Sequence, residues 1–242
     1  MKIAVYGNQC QDHKVEEIRA LFEALRASGA FIEVERGFLE YVKGLIPDVA
    51  ADKAVGDGEV SADVVVSIGG DGTFLRAAAW VGSRETPIFG VNTGHLGYLS
   101  DVSVADVSTF VAGLADGNFR IERRSLLQVD TNACVALANR YALNEVAILK
   151  NASASMLAMD TSVDTTMLNT YLGDGLIIAT PTGSTAYNLS VGGPILHPAC
   201  SSFVLSPIAA HSLTMRPLVV PDTVEIAVTT RSERSHTFRI SV

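Results

Sequence analysis

Val64-Val65-Val66-Ser67-Ile68 runs without a break into Gly69-Gly70-Asp71-Gly72-Thr73. A short, nearly all-apolar run that stops on glycines reads as a buried strand, the kind found in parallel sheets covered by helices. Without Cβ atoms the backbone after the strand can approach a phosphate closely. The amides of this turn, opening a helix expected from Thr73 to about Val81, direct donors at an anion. A carboxylate in that position repels phosphate. Asp71 therefore reads as the acceptor of a proton from a hydroxyl that attacks a phosphate. The plainer alternative is turn chemistry, because Asp, Gly and Thr also open helices in ordinary α/β proteins. The pattern departs from the dinucleotide fingerprint G-x-G-x-x-G, since Leu75 stands at the third glycine position.

Elements on either side carry the same alternation. Ile3–Tyr6 reads as a strand, Val15, Ile18, Leu21, Phe22 and Leu25 recur at helical spacing up to Ser28-Gly29, and Phe31–Val34 returns to strand. Residues 47–61, with Pro47, Gly56, Asp57 and Gly58, read as a mobile polar connection. A strand over Pro87–Val91, the loop Asn92-Thr93-Gly94-His95-Leu96-Gly97 and a helix from about Val104 to Leu114 follow. These predict a mainly parallel sheet with its ligands beyond the carboxyl ends of the strands. After Gly117 the texture changes. Phe119–Asp130, Cys134–Leu149, Ser155–Met159, Leu176–Thr180, Val204–Ala210, Val219–Thr229 and His236–Val242 are strand-like. We expect an α/β domain over 1–118 and a mostly β domain over 119–242 that is incomplete at its C-terminus.

A chain of 242 residues, 48% hydrophobic and 18% charged, has apolar material for one large core or two modest ones. Its net charge of -8 argues against a general nucleic-acid or anionic-membrane binder, which depends on basic surface, so any phosphate is held locally. Cys10, Cys134 and Cys200 are scattered and form no C-x-x-C, which fits a reducing cytoplasm rather than a disulfide framework or thiolate zinc site. His95, His197 and His211 lack paired-ligand spacing and read as hydrogen-bonded loop or core residues. Ser184 lacks both the G-x-S-x-G setting and identifiable His and Asp partners, which leaves a hydrolase little support.

A second constellation lies in the β half, where Asp174-Gly175-Leu176-Ile177-Ile178-Ala179-Thr180-Pro181-Thr182-Gly183-Ser184-Thr185-Ala186-Tyr187-Asn188-Leu189-Ser190 precedes Val191-Gly192-Gly193-Pro194. Small hydroxyls and exposed amides offer neutral donors to sugar and phosphate, and Tyr187 can cover a ring face. A turn and short helix capped by Thr182 or Ser184 is the structural alternative.

Gly69-Gly70-Asp71-Gly72-Thr73, the Asn92–Gly97 loop, Asn144-Glu145 and the Asp174–Ser190 run, in this order, resemble bacterial NAD kinases. The glycine–Asp turn alone is shared with phosphofructokinases and diacylglycerol kinases. The fold class implied is therefore an α/β domain like theirs plus a mostly β domain. In this family the carboxylate that Asp71 matches deprotonates the 2′-hydroxyl of the adenosine ribose of NAD, which attacks the γ-phosphate of ATP or another donor with a divalent metal, magnesium, to give NADP. The resemblance further implies that Gly70, Gly72 and Thr73 approach the nucleotide and that Asn144 and Glu145 line the adenosine and ribose side. Thr182, Thr185, Ala186, Tyr187, Asn188, Leu189 and Ser190 would surround the adenine and adjoining phosphate. Asp174 matches a carboxylate near the nicotinamide, often supplied across a subunit contact of a homodimer or homotetramer. Leu172 stands where some relatives carry Arg, so that contact is not carried over. Arg76, one helical turn past Asp71, is placed to meet a phosphate or to be solvated. Two further readings stay open: the same fold with a lipid or sugar acceptor, and a dinucleotide sensor without turnover.

Overall fold

The structure, a computed structural model, describes residues 1–93, 97–100, 102, 103, 106–132, 137, 139–151, 156–231 and 237–242, and at residue 115 the backbone. His95, Cys134 and Ser155, the middle of the Asn92–Gly97 loop and the expected start of the helix at Val104 lie outside these residues. Two compact units divide the chain, Met1–Glu122 and Arg123–Val242.

In the first unit the order is β1 (Lys2–Gly7), α1 (Val15–Ala27), β2 (Phe31–Glu35), α2 (Arg36–Leu45), β3 (Lys53–Val55), β4 (Val64–Ile68), α3 (Asp71–Val81), β5 (Ile88–Asn92), β6 (Val102–Ser103) and α4 (Val107–Ala115). The strands pair in parallel in the order β3-β2-β1-β4-β5-β6. β1 and β4 are neighbours from which the chain winds in opposite directions, and in such sheets ligands bind beyond the carboxyl ends at that switch. All five residues of β4 are buried because side chains alternate between two covered faces. Val64, Val66 and Ile68 join the core that includes Ile18, Leu21, Phe38, Val107 and Val111. Val65 faces the opposite core, with Ala4, Trp80 and Val81.

Three elements of this unit differ from expectation, the shortest being β6, two residues long. Arg36–Leu45, unassigned in sequence, form α2, whose Phe38, Leu39 and Val42 are buried and whose first amides, Gly37 and Phe38, donate to the Glu35 carboxylate at 2.9 and 2.7 Å. Phe38, Leu39 and Val42 recur at helical spacing, but two glycines in ten residues lower its helix propensity. The polar connection over 47–61 contains the edge strand β3, paired to β2.

The second unit contains β7 (Leu127–Gln128), β8 (Tyr141–Ala142), β9 (Glu145–Lys150), β10 (Leu157–Val163), β11 (Thr166–Gly173), β12 (Gly175–Ala179), the one-turn α5 (Tyr187–Ser190), β13 (Ser202–Ile208), β14 (Leu218–Pro221), β15 (Ile226–Arg231) and β16 (Phe238–Ser241). Antiparallel sheets run β14-β13-β12-β9-β16 and β11-β10-β15. Met159, Leu176 and Leu205 are fully buried in the larger core of this unit. The stretch expected as strand from Phe119 is irregular up to Leu127, with Phe119 and Ile121 exposed. Among the described residues no helix is long and apolar enough to cross a membrane.

Candidate active site

β4 delivers its carboxyl end to a turn only glycine can make. Gly69 has φ +148° and a Cβ there would lie 2.5 Å from Thr73 Oγ1, whereas Cβ atoms at Gly70 and Gly72 would meet open space. The backbone at 70 and 72 is thus bare toward solvent, as a close phosphate contact requires. α3 begins at Asp71, earlier than the sequence predicts, because the Thr73 and Phe74 amides already donate to Gly70 O at 2.9 and 3.2 Å. An acid in this first turn is favoured by the helix dipole. Thr73 is buried inside the turn, and its Oγ1 accepts from Arg76 Nη2 at 3.4 Å.

A second segment clasps the Asp71 carboxylate. Tyr98 N–H donates to Oδ2 at 2.9 Å and Leu99 N–H to Oδ1 at 3.0 Å. Gly97 lies so near that a Cβ on it would overlap the same carboxylate. An ionised carboxylate offers about four acceptor sites, so two remain for an incoming hydroxyl. Arg76 is exposed beside Tyr6, whose phenol burial pushes up and the guanidinium pulls back down.

In the second unit β9 and β12 run antiparallel with Glu145 opposite Ala179, so Asn144-Glu145 and the turn after Ala179 share one end of the sheet. Thr180 ties them. Its amide donates to Asn144 O at 2.8 Å, its hydroxyl to Leu143 O at 2.5 Å, and it accepts from Gly183 N at 3.1 Å. Neither Thr182 nor Ser184 caps the short helix as expected, and Thr180 braces the turn instead. A Cβ on Gly183 would overlap the Asn144 carbonyl. Ser184 is fully buried, donating to Pro181 O at 2.6 Å and accepting from Leu196 N at 3.0 Å. Asn188, expected at the ligand, is fully buried as well. Its amide donates to Ser184 O and Pro194 O and accepts from Ser206 Oγ, so it shapes the turn from beneath. Thr185, Tyr187, Leu189 and Ser190 are exposed, Thr182 and Ala186 half-buried. Thr182 Oγ1 accepts from Arg124 at 3.3 Å, a partner 58 positions away that sequence spacing could not reveal.

Glu145 Oε2 is buried and lacks a hydrogen-bond partner. Burial pushes this carboxyl up to about 6. With the folded value above the ordinary 4.5, the native state holds a proton that the unfolded chain releases between those pH values, so stability falls as pH rises through about 4.5 to 6. The penalty at pH 7 is about 1 kcal/mol once discounted for the exposed part of the side chain. Glu145→Gln is expected to flatten thermal stability across this window; because the amide also wants partners, the diagnostic is slope rather than offset. Parallel pH profiles for parent and variant would refute the assignment.

Asp174 is not brought to this turn. It stands at the other end of β12, roughly 17 Å away at about 3.4 Å per residue, where its Oδ1 pairs with Lys150 Nζ at 2.6 Å. Exposed His197 accepts from Ala199 N at 3.2 Å, and exposed His211 donates its amide to Leu172 O at 2.8 Å. Cys10 and Cys200 are exposed free thiols.

A helix-covered parallel sheet ending in a glycine–Asp turn, joined in one chain to an antiparallel β unit with a hydroxyl-rich turn, has the parts that a phosphotransferase acting on a hydroxyl needs. Residues 49–119 match the ATP-NAD kinase N-terminal domain and residues 143–241 the ATP-NAD kinase C-terminal domain. NAD kinase of Bacteroides fragilis is 44% identical over 243 residues, covering 100% of this chain and 83% of that protein. NAD kinase of Porphyromonas gingivalis W83 is 46% identical over 222 residues, covering 91% and 76%. Among solved structures, an NAD kinase from Archaeoglobus fulgidus in complex with ATP superposes with a TM-score of 0.69 at 30% identity, over 95% of this chain and 81% of that one. Yeast NADH kinase complexed with NADH gives 0.83 at 22% identity, over 100% and 73%, a likeness of fold. The chain belongs to the NAD kinase family.

Proposed function

We propose that this enzyme transfers the γ-phosphoryl group of ATP to the 2′-hydroxyl of the adenosine ribose of NAD, with Asp71 as general base. The observation that carries this reading is a half-buried carboxylate fixed by the Tyr98 and Leu99 amides at the bare glycine turn, with acceptor capacity to spare. The ribose O–H proton passes to an Asp71 oxygen as the ribose oxygen bonds to the γ-phosphorus. The bond from that phosphorus to the bridging oxygen breaks, and ADP leaves. Gly70, Gly72 and the first amides of α3 line the donor phosphates, with Thr73 holding the turn from beneath and Arg76 contributing charge.

Among the described residues no three His, Cys, Asp or Glu side chains gather as metal ligands. We assign the divalent cation, magnesium in this reading, to the donor, entering with the triphosphate as part of the substrate. Asn144 and Glu145 line the adenosine ribose. Thr182, Thr185, Ala186, Tyr187, Leu189 and Ser190 surround the adenine, on a turn held by Asn188. Asp174 reaches the nicotinamide end of a neighbouring copy in a homodimer or homotetramer, a role that light scattering showing only monomer would reject. We place the enzyme in the cytoplasm.

The test is conversion of NAD with ATP and magnesium, followed by phosphorus NMR of the dinucleotide product. A new monoester at the adenosine 2′ position is expected. An ester elsewhere, or binding without conversion, overturns the assignment.

A further inference from the structure

Gln11 is outside every motif named above, yet only 5% of its surface is exposed and every polar atom of its side chain is engaged. Nε2 donates to Asn8 O at 3.0 Å and to Ile68 O at 3.2 Å, and Oε1 accepts from Thr93 Oγ1 at 3.1 Å. Its backbone is held too, its amide donating to Tyr41 Oη at 2.6 Å and its carbonyl accepting from Lys14 N at 2.8 Å. Asn8 follows β1, Ile68 ends β4 and Thr93 follows β5. One side chain therefore joins three neighbouring carboxyl ends of the sheet.

Two of those ends govern Asp71. Ile68 is the last residue before the glycine turn that presents the carboxylate. Thr93 follows β5, and Gly97, Tyr98 and Leu99, which clasp the carboxylate, stand four to six positions further along the chain. The base and its clasp come from different strands, so any drift between those strand ends shifts the carboxylate relative to the amides that aim it. We infer that Gln11 is a positioning residue for Asp71, setting the distance between the strand that carries the base and the loop that holds it. This rests on the reading of Asp71 as general base.

Gln11→Met keeps the length of the side chain and removes its amide. At saturating NAD and ATP we expect kcat to fall on the order of ten- to a hundredfold, the scale of a misplaced reacting group, with both KM values within about twofold. Thr93→Val removes one arm of the link and should give a smaller fall. Combining the two should cost less than the product of the single effects, because they break one connection. Ile18→Val, a core change on α1 that takes part in none of the Gln11 side-chain bonds, is the control for stability alone. Parental kcat in folded Gln11→Met, or a loss no larger than Ile18→Val shows at matched thermal stability, overturns the proposal. Asp71→Asn is measured alongside. Should it keep its turnover, the general-base reading fails and the positioning role with it; should only Gln11→Met keep turnover, Gln11 alone loses its role.

Discussion

Asp71→Asn is expected to lower kcat for NADP formation by about 10²- to 10⁴-fold, the range for loss of a positioned base. An amide has no basic oxygen to receive the ribose proton at neutral pH. The substitution also disturbs the clasp. Asn keeps one acceptor for the Tyr98 or Leu99 amide but turns an N–H toward the other, so two donors meet. The lost charge-assisted bond and the lost acid in the first turn of α3 amount to about 1–3 kcal/mol. For a chain this long that lowers Tm by roughly 2–12 °C. Folding and chemistry are therefore separable: kcat at saturating substrate reports the base, thermal unfolding the clasp. Asp71→Glu should not rescue activity, because a longer carboxylate is driven into Gly97, where a Cβ already has no room. Near-parental turnover of Asp71→Asn would remove Asp71 from the proton transfer.

Gly183→Ala is expected to be the most destabilising single-methyl change in the second unit. Its Cβ would enter the Asn144 carbonyl and lie 2.7 Å from the Asn144 Cα. The obstacle is backbone, and Asn144 O is itself held by the Thr180 amide at 2.8 Å at the start of the β9–β12 ladder. Yielding means sliding Asn144-Glu145 away from the turn. Overpacking typically costs 1–3 kcal/mol, and with rigid neighbours we expect about 3, a fall in Tm of roughly 6–12 °C. KM for NAD should rise with it, since Asn144 and Glu145 move. Gly44→Ala, in the last turn of α2 with open space at the Cβ, is the contrasting control and should gain up to about 1 kcal/mol. A Gly183→Ala protein with parental Tm and parental KM would refute the weld between turn and strand.

Much of the architecture was legible before any coordinates. Buried β4, the 3.6-residue recurrence in α1 and the change of texture beyond Gly117 follow from local rules of pleat, helix and side-chain branching. α2, β6 and β11 were less legible, and so was β3; α2 and β3 show why. One is a ten-residue helix carrying two glycines, the other a three-residue edge strand, and each is held by tertiary partners more than by propensity. The same limit applied at the site. Asp71, Glu145 and the 182–190 turn could be named from residue types and a family likeness. That Asn188 lies beneath the turn, and that Asp174 sits a strand's length from it, could not.

By itself, the sequence determined the elements whose information is local: the glycine turn with its acid, the hydroxyl-rich turn, and the nearly unbroken apolar run that buries β4 between two layers of helix. Only the tertiary structure decided which amides hold Asp71, that Gln11 bridges residues 57 and 82 positions away, and that Gly183 rests on Asn144. Hydrogen bonds and close packing depend on distance in space, and positions far apart along the chain become neighbours only when the sheets form.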